Sequence, residues 1–286
     1  MDSQLKLNLG ASRRILLLLV LMGVGLLVAS LVSLAVIKGG VLVMLTMQDL
    51  LAFIAPAVVA MAICYRSPCH AMMLDRAPSW KALAVVIVFY VVSIPMMNWL
   101  VVTNQAMTLP AWMSGIEQWM RSAEESAQDL TQQLIATTSL PQLLATVLVV
   151  GVLAGVSEEL LFRGAMLRML LGTRLGTHVA VWLVAAVFSA FHMQFYGFVP
   201  RLVLGVWLGY LMVWTRSLWV PIIAHALNNS IVVIAGHLEA RDVLQQGSID
   251  ALGLPAGGSW PWLVLLSTLA SIAVAVMASR WLPRQK

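Results

Sequence analysis

Eight apolar stretches, most of them about long enough to cross a bilayer, constrain this chain more than any other feature. The first is the uncharged run from Ile15 to Ile37, and the second starts at Val41 or Met47 and ends at Tyr65. The third covers Ala82 to Val102, the fourth begins at Leu140, and the fifth covers Thr177 to Phe195. The sixth, Leu202 to Trp214, is short; the seventh runs from Leu218 to Ala235 and the eighth from Trp260 to Ala278. Hydrocarbon offers no water to backbone N–H and C=O groups, so such runs must bond internally as helices. Composition agrees, with 61% hydrophobic residues and 10% charged, against about 25% charged in soluble domains. That leaves too little polar surface to cover a water-soluble globule. A disordered chain is excluded as well, and two cysteines, Cys64 and Cys69, are too few for a disulfide-stapled secreted domain. The fold class expected is all-α, a polytopic membrane protein of about eight transmembrane helices.

Lys6, Arg13 and Arg14 precede the first run as they would in a secretory signal. That run is about 23 residues, however, and signal cores are about 7–15, so it reads as a retained helix. With the N-terminus inside, 13 of the 17 Lys and Arg residues fall on the cytoplasmic side. The other four, Lys38, Arg121, Arg201 and Arg241, fall outside. This asymmetry places both termini in the cytoplasm. It also explains the net charge of +5 without a nucleic-acid partner.

Between the third and fourth spans, Trp112, Ile116, Trp119, Ala123, Leu130 and Leu134 recur at helical spacing among Glu117, Glu124, Glu125 and Asp129. The pattern predicts an amphipathic helix on the outer membrane surface. Three regions follow: 1–139, with three spans and this helix; 140–235, with the fourth to seventh spans; and 236–286, an outer loop and the last span. No internal repeat of the transporter kind is visible.

Ionisable groups inside membrane spans cost roughly 2.5–3.5 kcal/mol each on insertion scales, and here they cluster. The fourth span carries Glu158, Glu159 and Arg163. Adjacent helical residues point about 100° apart, so the two glutamates cannot share a face. Glu159 and Arg163, four apart, can pair, which leaves Glu158 pointing elsewhere. The plainer alternative puts all three at the cytoplasmic boundary as interfacial charges. The fifth span carries His192, and the seventh carries His225 and Asn229 on one face. A turn at Gly172–Gly176 brings Glu158 and His192 to similar height; His225 fits only if the fourth and fifth helices project into the cytoplasm or the seventh starts lower. A buried glutamate suits a general base, and a histidine with an asparagine amide suits an oxyanion. Alternatively, Glu158, His192 and His225 form a two-histidine, one-glutamate donor set for a catalytic zinc. The residues alone leave both open.

Glu158-Glu159-x-x-x-Arg163, Phe188-x-x-x-His192 and His225-x-x-x-Asn229 follow in order, each on an expected span. Together they resemble the type II CAAX prenyl endopeptidase and bacteriocin-processing enzymes, the CPBP or Abi family of intramembrane proteases. The resemblance covers Leu140 to Ala235, about a third of the chain. It implies roughly eight helices around a polar intramembrane catalytic cavity that opens toward the cytoplasm, and peptide-bond hydrolysis. It implies that Glu158 activates water with His192, and that His225 and Asn229 bind a metal or the oxyanion. Glu159 and Arg163 would orient Glu158 or support its helix. Zinc, held by His192, His225 and Glu158, stays an open alternative. The partners implied are the lipid bilayer and a membrane-associated protein or peptide substrate. Eukaryotic members trim prenylated proteins, but nothing in this sequence marks a prenylated substrate. Gly197–Arg201, Leu204-Gly205 and Ser217-Leu218-Trp219 look like the linking segments of bacterial members, which suggests a bacterial inner membrane.

Other features carry less. Cys64, Cys69 and His70 match no common zinc spacing. His178 and His237 read as interfacial, Gly205-x-x-x-Gly209 as a close helix contact, and Trp80, Trp219, Trp260 and Trp262 as interface anchors. Two other classes compete with a protease: a catalytically silent scaffold that regulates another membrane protein, and a small-ion transporter using the same polar cavity.

Overall fold

Long apolar stretches become long helices wherever no proline or glycine interrupts them, and this chain is helical nearly throughout. The computed structural model describes residues 5–7, 9–35, 40–255 and 261–282. Ile37, Lys38, Trp260, Arg284 and Lys286 lie outside the described residues. The principal helices are α1 (Ala11–Ala35), α2 (Val41–Cys64), α3 (Trp80–Gln105), α4 (Ser114–Ile135) and α5 (Leu140–Leu170). They are followed by α6 (Thr177–Phe191), α7 (Phe198–Thr215), α8 (Trp219–Ala240) and α9 (Trp262–Trp281). Among the described residues seven are long and apolar enough to cross a membrane: α1, α2, α3, α5, α7 with its lead-in from Phe195, α8 and α9. The protein is an integral membrane protein of the polytopic all-α class. The amphipathic segment forms α4, close to its expected limits.

The short apolar helix is α6, with 15 residues, and not the sixth as expected. α6 stops at Phe191, Met193 takes a positive φ of 54°, and a tight turn at Phe195–Gly197 leads into α7. Protein groups meet the turn's backbone. Asn104 Nδ2 donates to the Phe195 carbonyl at 3.2 Å, and Asn104 Oδ1 accepts from Val199 N at 2.7 Å. Glu124 Oε2 accepts from Tyr196 N at 3.1 Å. Irregular backbone at membrane depth is tolerated only when satisfied in this way. Glu124, expected on a solvated face of α4, is therefore buried.

Small residues set the helix spacing around the site. Gly155 of α5 lies against α8, where an added Cβ would stand 2.9 Å from Ala226 N. Gly205 of α7 lies against α6, with Ala185 and Phe188 3.1–3.2 Å from the equivalent position. The Gly205-x-x-x-Gly209 pair thus serves packing within the fold. The seventh span extends further than expected, to Ala240, so the outer loop begins later. His237 is consequently a buried residue of α8, bonded to the Thr137 carbonyl, and not an interfacial one.

Candidate active site

α5 carries the two glutamates between two segments of wider, π-type winding, Val147–Leu153 and Leu160–Leu167. α2 has a third such segment at Asp49–Ile54, facing α5. Wide turns are frequent at functional sites because they re-aim side chains within an otherwise regular helix.

The two glutamates point to different partners, as neighbours on a helix must. Glu159 Oε1 accepts from Arg163 Nη1 at 2.6 Å and from His225 Nδ1 at 2.9 Å. Arg163 Nη2 donates to the Gly205 carbonyl at 2.9 Å, and its guanidinium lies 4.5 Å from the centre of the Phe188 ring. Glu159 and Arg163 are both 0% exposed. They sit deep in the bundle, which removes the reading of interfacial charges at a helix end.

Glu158 lines a cavity of about 390 Å³ together with His192, His225, Asn228, Asn229 and Arg201. Its Oε2 stands 3.9 Å from His192 Nε2 and 3.8 Å from His225 Nε2. Those distances exceed a direct hydrogen bond, and Oε2 is buried without a partner. The histidine tautomers follow from their other nitrogens. His192 Nδ1 lies 2.9 Å from the Phe188 carbonyl, which can only accept, so Nδ1 carries the proton. His225 Nδ1 faces the arginine-paired Glu159 carboxylate and carries the proton too. In the neutral rings both Nε2 atoms are then lone pairs. Glu158 Oε2 thus faces two imidazole acceptors, with no donor among the three. A water molecule, which donates two protons, suits the gap between the carboxylate and such an acceptor.

Heights explain why His225 joins. Glu158 is about 18 Å from the Leu170 end of α5, whereas His225 is about 9 Å from the Trp219 end of α8, at 1.5 Å per residue. α5 has 31 residues and extends roughly two turns past the start of α8. α8 starts at Trp219, close to its expected start, so the overhang of α5 and not a lower start of α8 brings His225 to the height of Glu158. Asn229 Nδ2 donates to the Val150 carbonyl at 3.3 Å, and Asn228 Nδ2 to Asn229 Oδ1 at 3.2 Å.

Several site residues escaped the sequence reading. Asp49 of α2 is buried, lines the cavity, and accepts a 2.7 Å hydrogen bond from Ser157 Oγ, next to Glu158. Arg201 is held by Gln194 through Nη2–Oε1 at 2.6 Å and Nη1–O at 3.0 Å. The signal for Asp49 existed, as a lone carboxylate inside an apolar run. For Arg201 none did, since its place depends on the turn after α6.

The cavity runs from Glu158 between α2, α5 and α8 to the underside of α4, where Leu130, Leu134 and Ile135 line it. Charge asymmetry places α4 outside, whereas the family resemblance implies a cytoplasmic opening. The two expectations point to opposite ends of one cavity.

Among the described residues no group of three or more His, Cys, Asp and Glu is arranged as a metal site. The donor chemistry of His192, His225 and Glu158 does suit zinc, but separations of 3.8–3.9 Å exceed the roughly 3.3 Å between tetrahedral ligands at bonds of about 2.0–2.1 Å.

Residues 140–231 match the family model described as type II CAAX prenyl endopeptidase Rce1-like. A curated relative, the uncharacterized protein YpbD of Bacillus subtilis (strain 168), is 23% identical over 120 residues. That alignment covers 41% of this chain and 57% of the relative, so the chain spans little more than half the length of that protein. No solved structure matches the chain. The matched segment holds all six motif residues, Glu158, Glu159, Arg163, His192, His225 and Asn229.

Proposed function

With residues 140–231 taken as an Rce1-like segment, we propose that the chain is an intramembrane endopeptidase that cleaves membrane-associated proteins or peptides with a water activated by Glu158. The observation that carries this reading is the unpartnered Glu158 Oε2, which lines a cavity within 3.9 Å of the Nε2 atoms of both His192 and His225. Peptide hydrolysis needs a water stripped of its proton and aimed at a carbonyl carbon. Water between Glu158 and one of those nitrogens donates to both and keeps a lone pair toward the cavity. Glu158, in a site poor in bulk water, accepts a proton as the water oxygen bonds to the carbonyl carbon. The amides of Asn228 and Asn229, on the same wall, are the donors for the oxyanion that forms. Glu158 then returns its proton to the amide nitrogen as the C–N bond breaks, giving a carboxylic acid and an amine.

Glu159 and Arg163 act one step back. Their ion pair fixes the Nδ1–H tautomer of His225 and so turns its Nε2 lone pair to the reaction site. The mostly apolar walls, including Leu45, Phe53, Leu134 and Val232, suit an apolar substrate chain. If zinc binds, His192, His225 and Glu158 would hold it after closing by about half an ångström, and the ion would supply a more acidic water and Lewis-acid polarisation.

The test is cleavage of membrane peptides by the purified protein in single turnover, with Glu158→Gln beside it. Gln keeps the shape and cannot accept the proton, so turnover falls about 10²–10⁴-fold while the protein stays folded. Near-normal turnover by Glu158→Gln would leave a scaffold as the better description.

A further inference from the structure

One buried carboxyl group of the catalytic cavity has no part in the water-activating scheme. Asp49 begins the wide segment of α2, is 6% exposed, and lines the cavity with Glu158. Carboxyl groups inside membrane spans are costly, and where they persist they mark functional positions. Among the described residues no cation pairs with Asp49. Its partner is Ser157, whose hydroxyl donates to Oδ1 at 2.7 Å. Ser157 is fully buried and immediately precedes Glu158. The same hydroxyl stands 3.0 Å from the Ala154 carbonyl of its own helix. One proton serves two acceptors, and the shorter contact is the one that crosses to α2.

Ser157 lies in the short regular stretch, Ala154–Glu159, between the two wide segments of α5. Wide winding gives up the ordinary i→i−4 bonding, so contacts from neighbouring helices fix how this stretch is rotated. From α8 they are close packing of Gly155 on Ala226 and the Asn229 amide on the Val150 carbonyl at 3.3 Å. From α2 the hydrogen-bonding contact is Asp49 on Ser157. The same α2 segment supports the other half of the site. Phe53 meets Phe191 edge to face with ring centres 5.4 Å apart, and Phe191 immediately precedes His192. α2 therefore touches the residue before Glu158 and the residue before His192, whose facing atoms stand 3.9 Å apart. We propose that Asp49 is a positioning residue for hydrolysis. Through Ser157 it sets the rotation of Ala154–Glu159, and with it the distance from Glu158 to His192 and His225. This inference rests on Glu158 as the base that activates water.

The full chain and its variants Asp49→Ala, Asp49→Asn, Ser157→Ala and the double alanine variant are purified in detergent beside Glu158→Gln. Each is assayed in single turnover over a range of concentrations of a membrane peptide that the unmodified protein cleaves, and its thermal midpoint is measured. Asp49→Ala and Ser157→Ala should each lower turnover at saturation about 10-fold to 100-fold, the range expected when a reacting group is displaced by about 1 Å or less. KM should not move, because the bond acts on the base and not on the bound peptide. The double variant should be no slower than the slower single one, since both break the same bond. Asp49→Asn should keep most of the activity, because its amide oxygen still accepts from Ser157. Losses that multiply in the double variant, Asp49→Asn as slow as Asp49→Ala, or a loss confined to KM would overturn the proposal. Full turnover in Asp49→Ala beside an inactive Glu158→Gln would overturn it alone, whereas near-normal turnover in Glu158→Gln would overturn the reading of Glu158 and this proposal with it. Should Asp49→Ala fail to fold, Ser157→Ala and Asp49→Asn decide the matter: an unaffected Ser157→Ala would overturn the proposal, and a slow Ser157→Ala beside an active Asp49→Asn would support it.

Discussion

Replacing Glu159 by Gln removes the negative charge that fixes the site's hydrogen-bonding pattern. Glu159 and Arg163 are both fully buried, joined at 2.6 Å, and Glu159 also receives His225 Nδ1–H at 2.9 Å. In the variant Arg163 stays charged in the bundle with one carbonyl acceptor, Gly205 O at 2.9 Å, and the face of Phe188. Removing one partner of a buried ion pair costs roughly 3–5 kcal/mol, while replacing both by apolar groups of similar volume is often neutral or stabilising. The Gly205 carbonyl would then lose its donor, at a cost of about 1–3 kcal/mol. Glu159→Gln should therefore destabilise by roughly 3–5 kcal/mol, and Glu159→Leu with Arg163→Met should recover about half of that or more. The double variant should not hydrolyse peptide, because His225 loses the acceptor that orients it, whereas in Glu159→Gln the amide oxygen can still accept from His225 Nδ1 and turnover should fall alongside stability without being abolished. The assay is unfolding in mixed micelles with increasing dodecyl sulfate, followed by tryptophan fluorescence, with turnover measured on the same samples. A single variant within about 0.5 kcal/mol of the parent, the range of ordinary surface substitutions, would refute the argument. So would a double variant less stable than the single.

His192→Ala should lower turnover about 10²–10⁴-fold and leave the unfolding transition in place, since its ring is partly exposed to the cavity; a concerted loss of stability would make it a packing residue. Strong chelation of purified protein should leave single-turnover cleavage intact on the water-activating reading, and loss of cleavage that zinc restores would establish the metal instead. Glu124→Ala should free the Tyr196 N–H, destabilise by about 1–3 kcal/mol and slow turnover by displacing His192; unchanged values for both would show that the turn needs no support from α4. Gln128→Cys should react with an impermeant reagent on intact cells, and labelling only after permeabilisation would reverse the orientation.

The spans were legible because a bilayer imposes a length on every apolar helix, and seven of the helices meet it. The pairing of Glu159 with Arg163 was legible because i,i+4 geometry is local, and it survives the wider winding around it. What helical periodicity does not encode is where a helix ends inside the membrane. The run Thr177 to Phe195 looks continuous, yet Met193 turns the chain back, and that turn stands on Asn104 and Glu124, roughly 90 and 70 residues away in sequence. The height of His225 was ambiguous for a related reason, because the overhang of α5 past α8 is set by packing of Gly155 on Ala226. Asp49 is visible as a lone carboxylate in an apolar run, but its partner Ser157 is 108 residues away, so its place beside Glu158 is not.

The cavity's direction joins two arguments that sequence leaves separate. α4 lines one end of the cavity with Leu130 and Leu134, so a substrate chain that passes them reaches Glu158 from the side that carries α4. The cluster of Arg76, Arg168 and Arg216 marks the other end. Lys and Arg concentrate on the cytoplasmic side of membrane proteins, where anionic lipid also gives that surface a negative potential. On the charge rule the end that carries Arg76, Arg168 and Arg216 is expected to face the cytoplasm and the cavity at Glu158 to open on the side of α4, whereas the resemblance implies a cytoplasmic opening. Labelling of α4 decides between the two: external reaction at position 128 would place the substrate's entry on the outer side, and reaction only after permeabilisation would place it on the cytoplasmic side.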